Sequence, residues 1–441
     1  MHRRFSRTAL LIGGAALLAT SCGGGDDDEG GGSDTEAQGD SAGGSDGPVT
    51  IEWWHIQNND PGLSLWEDVA AEFEDAHPNV TIEITVYENE AFKTAVEPRM
   101  QAGDPPDLFQ SWGGGELMEQ VDAGLVRDIS DDVEPWIGTL NEAAVKMYQV
   151  EDRQYGIPFD LGMVGFWYNK DLFAQAGIDE PPATWDQLLD DVQTLQDAGI
   201  TPIALGEGDR WPGMFWWAYL ALRNGGPDAL LEAGETGSFD AEPFVQAGEQ
   251  LQELIELDPY QDGHMAAVWD GAGGQAATIA TEGAAFHLMG QWAPGTQNAN
   301  SPDGEGLGDK LGWFPFPEVE GGEGDPTDGF GGGNGFAVSA DAPPEAVEFL
   351  EYISSRDVAD RWGASNSGIL PVVVGSEDSV TDPTLKDVLD ARADASFVQL
   401  YLDQAYGTEL GEIINDAVEQ LYAGQASPED VAQTIADAAG G

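Results

Sequence analysis

An α/β fold in two lobes is predicted from three features of the chain. These are its length, an alternation of strand and helix patterns that begins at Val49, and the return of that alternation after Tyr155. The 441 residues can bury more than one core of ordinary size, so two lobes are expected rather than one. Strands joined through helices need crossover connections, which place helices over both faces of a mostly parallel sheet.

The first half of the alternation reads as follows. "VTIEWWHI" is a strand candidate. "SLWEDVAAEFEDAHP" puts Leu65, Val69 and Phe73 on one helical face and stops at Pro78. "VTIEITVY" alternates Val80, Ile82, Ile84 and Val86, the mark of a half-buried strand. "EAFKTAVEPRMQAG" is helical apart from Pro98, "PDLFQSW" is a short buried strand, and "GELMEQVDAGLV" is a helix. In the second half, "YGIPFDLGMVGFWYN" predicts two strands. "TWDQLLDDVQTLQDAG" predicts a helix capped by Thr184 and ended by Gly199. "TPIALG" follows as a strand and "GMFWWAYLALRNGG" as a helix, with Trp211 in the turn before it. After about Glu345 the chain reads as largely helical. No short internal repeat and no coiled-coil heptad is present.

The amino-terminal end is expected to lie outside the fold. "MHRRFSRTALLIGGAALLATSC" has a basic start, an apolar run from Ala9 to Ala19 and small residues after it, the pattern of a secretory signal peptide over residues 1–21. Cys22 is the sole cysteine, so no intramolecular disulfide is possible. "LATSC" resembles the bacterial lipoprotein signal, in which the cysteine is lipidated and becomes the new terminus. Residues 22–47 hold no aromatic and no large aliphatic side chain. They are expected to act as a tether, because they cannot bury enough surface to offset the entropy of ordering.

Charge excludes several partners. With 16 basic residues against 81 acidic ones the formal charge is −65, which argues against nucleic acid and against an anionic membrane surface. Enzyme signatures are missing as well: G-x-S-x-G occurs only within the tether, at Gly39–Gly43 and Gly43–Gly47, with no strand pattern before it and no helix pattern after it to make an elbow, and the chain has no H-E-x-x-H helix and no phosphate-binding G-x-x-x-x-G-K-[ST] loop. No Cys/His cluster suits zinc and no complete EF-hand loop suits calcium, so neither a metal nor a cofactor is expected.

Ligands of open α/β sheets bind at the carboxyl ends of strands, which selects the loops "HIQNNDPG", "SWGGGE", "DLG", "EGDRWPG" and "QWAPGTQN", together with "DGFGGGN" before the late strand. They share tryptophan, carboxylates, amides and glycine. A neutral sugar fits that mixture, since its C–H face stacks on indole and its hydroxyls donate to carboxylates and bridge to amides. Arg210 is the one cation in these loops, so an anionic sugar is not expected. His55, with Asn58 and Asp60 beyond it, is a polar candidate at a strand end. Trp269 and Asp270 form a further one.

The runs "MQAGDPPDLFQSWGGGELMEQVDAGLVRDIS", "YGIPFDLGMVGFWYNKDLFAQAGIDEPPATWDQLLDDVQTL" and "GGNGFAVSADAPPEAVEFLEYI" resemble the extracellular solute-binding proteins of carbohydrate ABC transporters, the group that includes the maltose-binding proteins. The resemblance covers roughly residues 48–440. It implies the two-lobed fold of periplasmic binding proteins, with a ligand cleft at the hinge, closure of the lobes on a sugar, and docking of the closed form on permease subunits. It also implies a binding protein rather than an enzyme; the lipid-bearing cysteine and tether ahead of a globular body place the protein at the outer face of the cell membrane, and a monomer is expected. One lobe is expected over 48–157 with about 333–358, the other over 158–332 with about 359–441. Carried over position by position, the family's pattern points to Trp112, Glu116, Asp160, Trp211, Trp216, Trp292 and Asn334 as ligand contacts, with one of Trp216 and Trp217 in the core. "SWGGGELMEQVDAGLV" with "WPGMFWWAYLALRNGG" is similar to binders of the xylobiose type, while chitobiose, cellobiose and α-glucosides stay open. A secreted glycoside hydrolase and a surface lectin are the alternatives that share this sugar chemistry.

Overall fold

Strand β1 (Val49–His55) organises the first lobe, with parallel neighbours on both sides: β2 (Val80–Val86) and β3 (Leu108–Ser111). The helices α1 (Gly62–Ala76) and α2 (Asn89–Ala102) supply the crossovers that parallel pairing demands. The computed structural model describes residues 47–440; the expected signal segment, Cys22 and all but the last residue of the tether lie outside the described residues. Two later strands complete this sheet, β4 (Gly156–Pro158) and β9 (Gly335–Val338), in the order β2-β1-β3-β9-β4, with β9 antiparallel to β3 and β4.

Alternation along β1 explains how the sheet is covered. Ile51 and Trp53 point to one face, where Trp53 meets Trp66 of α1 edge-on at 5.3 Å, Phe336 at 5.2 Å and Phe349 at 5.1 Å. Trp54 points to the other face, in a second cluster with Phe92, Phe109, Trp112 and Leu117. Helix α2 runs straight through Pro98 and stops at Gly103, whose left-handed φ of 71° suits the cap. Helix α3 (Gly114–Asp122) follows β3.

The second lobe departs from the parallel expectation. Its sheet, β6 (Phe286–Met289), β5 (Gly165–Asn169) and β7 (Leu311–Phe314), has β5 in the middle and antiparallel to both neighbours. The expected "TPIALG" strand makes only single bridges, from Ile203 to Phe286 and to Tyr260. Pro202 has no N–H to donate. The next ladder positions are taken by side chains: Gln261 bonds the Leu205 N–H (2.9 Å) and carbonyl (2.6 Å), and Gln275 accepts from Gly206 N–H (2.8 Å). Helix α4 (Trp185–Asp197) is capped by Thr184 as expected, its hydroxyl accepting from Gln187 N–H. Helix α5 (Trp211–Thr236) begins at Trp211, which belongs to its first turn rather than to the loop before it, and kinks at Gly226.

Helices α6 (Glu345–Ile353) and α7 (Arg356–Ala364) return to the first lobe, where Phe349 and Trp362 join its core, and that packing continues to Val373. From Val380 onward the core residues belong to the second lobe. Between Phe159 and Val164 and between Gly331 and Asn334 the chain passes from one lobe to the other, and these passes touch. A Cβ on Gly333 would sit 1.9 Å from the Asp160 carbonyl oxygen, so the "GFGGGNG" run is glycine because two backbones lie against each other. Strand β8 (Gly329–Gly331) pairs with β10 (Val398–Leu400), outside either main sheet.

Candidate functional site

The loops at the carboxyl ends of β1, β2 and β3 open onto a cavity of about 1080 Å³, counting its mouth. The first lobe contributes the Gln57–Asp60 loop, Glu88, Asn89, Lys93 and Trp112. Glu88 is fixed because its carboxylate caps α2, accepting from the N–H groups of Glu90 (3.0 Å) and Ala91 (3.3 Å). The second lobe contributes Trp211 and Phe215 from the start of α5, the Trp269–Asp270 pair, and Trp292 just beyond β6. Asn334 enters from the lobe-to-lobe pass, and Tyr401, Asp403 and Gln404 enter from helix α8 (Leu402–Ala405) and the residue before it.

Three indoles build one wall. Trp211 lies 6.3 Å from Trp269 and 6.4 Å from Trp292, both tilted edge-to-face, and 5.2 Å from Phe215. Trp112 stands in the first lobe's part of the lining, with the Lys93 ammonium 6.0 Å from its ring centre. The Nε1–H of Trp211, the hydroxyl of Tyr401 and the Oε1 of Gln404 are buried with no hydrogen-bond partner in the protein, so the lining side chains leave both donor and acceptor capacity unmet. Such a wall can hold flat apolar faces and satisfy polar edges at the same time.

The charge of the cavity is one-sided. Asp60, Glu88, Asp270 and Asp403 line it against Lys93 alone. Lys93 is already engaged, 3.1 Å from Glu90 and 3.8 Å from Asp403. Burial raises the Glu88 and Asp403 carboxyls, and burial with nearby acids pushes Asp209 up to about 6. Asp209 is held by the Trp269 N–H at 2.6 Å. Arg210 turns away from the cavity and pairs with Glu412 (2.8 Å) and Asp416 on the outer surface, not with Asp209.

Asn58, Asp60, Trp112, Trp211, Trp269, Asp270, Trp292 and Asn334 thus meet around one cavity. His55, Glu116, Asp160 and Trp216 do not line it, each for a different reason. His55 is fully buried against Trp53, and burial drops its imidazole to about 3, which keeps it neutral. Glu116, on the first turn of α3, is pushed up to about 7 by burial, with Lys93 lowering it and Asp403 and Glu119 raising it. Asp160 is consumed at the passes between lobes: its carboxylate accepts from the backbone and side-chain amides of Asn334 and from Gln291 Nε2 (3.1 Å). Burial holds Asp160 up at about 6 against those bonds. Trp216 packs on Phe166 at 5.2 Å, and Trp217 is buried as well, so both belong to the core.

Sequence reasoning missed Glu88, Lys93, Tyr401, Asp403 and Gln404. The loop after β2, which holds Glu88, was not among the loops selected, and Lys93 sits on the first turns of the helix that follows it. Tyr401 to Gln404 follow β10, a strand hidden in a region read as helical. Among the described residues no group of three or more His, Cys, Asp or Glu side chains is placed to hold a metal ion. None of the described helices is long and apolar enough to cross a membrane.

The bacterial extracellular solute-binding protein family matches residues 18–360. An uncharacterised ABC transporter extracellular-binding protein of Pyrococcus horikoshii is 28% identical over 255 residues, so the match spans only 55% of that relative and 55% of this chain. The diacetylchitobiose binding protein of Streptomyces coelicolor is 26% identical over 355 residues, 77% of each chain. A solved structure from a study of xylan utilization by the thermophilic bacterium Caldanaerobius polysaccharolyticus superposes with a TM-score of 0.80 at 27% identity, over 88% of this chain and 99% of that one. Matched over most of its length and folded like a solved relative, the chain belongs to the family of bacterial extracellular solute-binding proteins.

Proposed function

We propose that the protein is the lipid-anchored binding component of a carbohydrate ABC transporter. It captures a short neutral oligosaccharide, best a β-linked disaccharide such as xylobiose, and hands it to the permease subunits. The observation that carries this reading is the indole wall of Trp211, Trp269 and Trp292 facing a first lobe rich in amides and carboxylates. Several large aromatic faces offer more stacking area than one sugar ring can use. The engaged state of Lys93 disfavours an anionic sugar. The choice of a β-linked sugar is supported by the resemblance to the structure from the xylan study and to the diacetylchitobiose binding protein. Its chemistry is binding: the carboxylate oxygens of the cavity that no protein donor occupies accept hydrogen bonds from hydroxyls, and no step breaks a glycosidic bond.

Calorimetry with xylobiose, cellobiose, chitobiose, maltose and xylose tests the reading. Xylobiose is expected to bind tightest and to be recovered intact. Tight binding of xylose alone or of a uronic acid overturns the size and charge argument, tight maltose binding overturns the linkage, and cleavage products would make the protein a hydrolase. Anchoring is tested separately. Cys22→Ala is expected to release the protein from the membrane fraction of cells that lack the permease, because a single lipid-bearing terminus is the proposed attachment. Retention of the variant in that fraction rules the anchor out.

A further inference from the structure

Asp270 sits in the second lobe's share of the cavity, yet its hydrogen bonds reach into the first lobe. Its Oδ2 accepts from Asn59 Nδ2 at 3.0 Å and from Asn58 Nδ2 at 3.3 Å, both in the loop after β1. Its Oδ1 accepts from Asn300 Nδ2 at 2.7 Å, within its own lobe. Asn300 also donates to the Thr296 carbonyl (2.9 Å), which fixes the amide that aims the carboxylate. One carboxylate therefore has one oxygen tied to its own lobe and the other presented to two amides of the opposite lobe. We propose that Asp270 is a positioning residue that clasps the lobes together, and that Asn58 and Asn59 are its partners rather than contacts for the ligand.

Three features support a clasp over a sugar contact. First, the oxygens of Asp270 already receive three amide donors, leaving little capacity for hydroxyls. Second, Asn59 donates 3.4 Å to Asn58 Oδ1, so the two amides are arranged as a unit toward the carboxylate. Third, the donors and the acceptor belong to lobes with separate cores, so these bonds form only when the lobes approach. A charge-assisted bond of this kind is strong enough to bias a two-state equilibrium. On the other side of the cavity the lobes meet differently. Gly114 and Gly115 of α3 bring backbone against backbone at Gln404 to Gly407, and Glu119 accepts from the Thr408 hydroxyl (2.9 Å) and N–H (3.1 Å). On that same side Lys93 of the first lobe lies 3.8 Å from Asp403 of the second, which leaves the Asp270 edge as the place where one carboxylate holds the opposite rim.

This role deepens the sugar-binding reading, but it is tested without sugar. The body contains no cysteine, so Met118→Cys and Leu231→Cys in a Cys22→Ala background place one dye on an exposed site of each lobe. Energy transfer in the ligand-free full chain then reports the lobe separation. Asp270→Ala is expected to shift the open-to-closed ratio toward open by about tenfold. Asn58→Ala/Asn59→Ala is expected to match it, and the triple variant to add nothing further, the non-additivity of groups that act together. The asparagines lie on a partly exposed loop, so their variants remain informative where Asp270→Ala folds poorly. Unchanged energy transfer in either variant, or full additivity, overturns the clasp. A clasp that opens as expected in a protein that binds no sugar overturns the proposed function alone.

Discussion

Trp211→Ala is expected to weaken disaccharide binding by about 5- to 150-fold, with the loss appearing mainly as faster dissociation. The side chain is the first residue of α5, 7% exposed, and it touches Phe215, Trp269 and Trp292 at once. Removing it takes one stacking face from the ligand and loosens the other two, and burial of a large side chain is worth about 1–3 kcal/mol. Its unpartnered Nε1–H adds a second component. Trp211→Phe keeps a ring and loses the donor, so it should recover part of the affinity. Trp217→Ala provides the contrast: Trp217 is fully buried and stacks on Phe244 at 5.8 Å, so it should cost stability without a selective loss of affinity. Calorimetry on the folded variants separates the two effects. Equal sugar affinity in Trp211→Ala and the unsubstituted protein would leave the indole wall without a function in binding.

The first lobe was legible because its strands carry period-two alternation and its helices carry stops. Ile51, Trp53, Val80 and Ile82 announce their faces, and Thr184 announces a cap in the second lobe. The second lobe was harder. Antiparallel pairing of β5 with β6 and β7 joins segments more than a hundred residues apart, and no local pattern encodes which neighbours a strand will choose. "TPIALG" has strand composition, yet Gln261 and Gln275 take its backbone bonds. The site divides the same way. Tryptophans in strand-end loops were found because large apolar rings in loops are conspicuous. Asp160 also lies in a strand-end loop, but it bonds Asn334 across the two passes, a partner visible only once the passes are seen to touch. Lys93 and Asp403 are ordinary charged residues in sequence and gain meaning only from the cavity they share.

Acidification from pH 8 to pH 5 is expected to raise the melting temperature by about 5 °C or more, the reverse of ordinary acid denaturation. The cause is a set of carboxyls held above their usual range by burial. Asp160 and Asp209 stand at about 6 and Glu116 at about 7, and Glu207 lies well above its ordinary value because it is fully buried, with Glu419 nearby adding to the effect. Between an ordinary carboxyl value and these raised ones, the native state holds protons that the unfolded chain has released. Stability therefore falls as pH rises through that window and is fully present below it. For fully buried Asp160 a rise from 3.8 to about 6 corresponds to about 3 kcal/mol. Self-repulsion at a formal charge of −65 acts in the same direction and is screened by salt, whereas the burial effect is not. Acids such as Glu52 and Asp128, lowered overall with arginine bonds contributing, act in the opposite direction, but they are far more exposed and count for less. Glu207→Gln isolates the buried component. It keeps the side chain's shape and removes its charge, so it should raise the melting temperature at pH 8, leave it nearly unchanged at pH 5, and flatten the slope between them in 1 M salt as well as in dilute buffer. A melting temperature that climbs with pH, or a Glu207→Gln variant whose slope matches that of the unsubstituted protein, would mean that these carboxyls are ionised inside the folded protein at little cost.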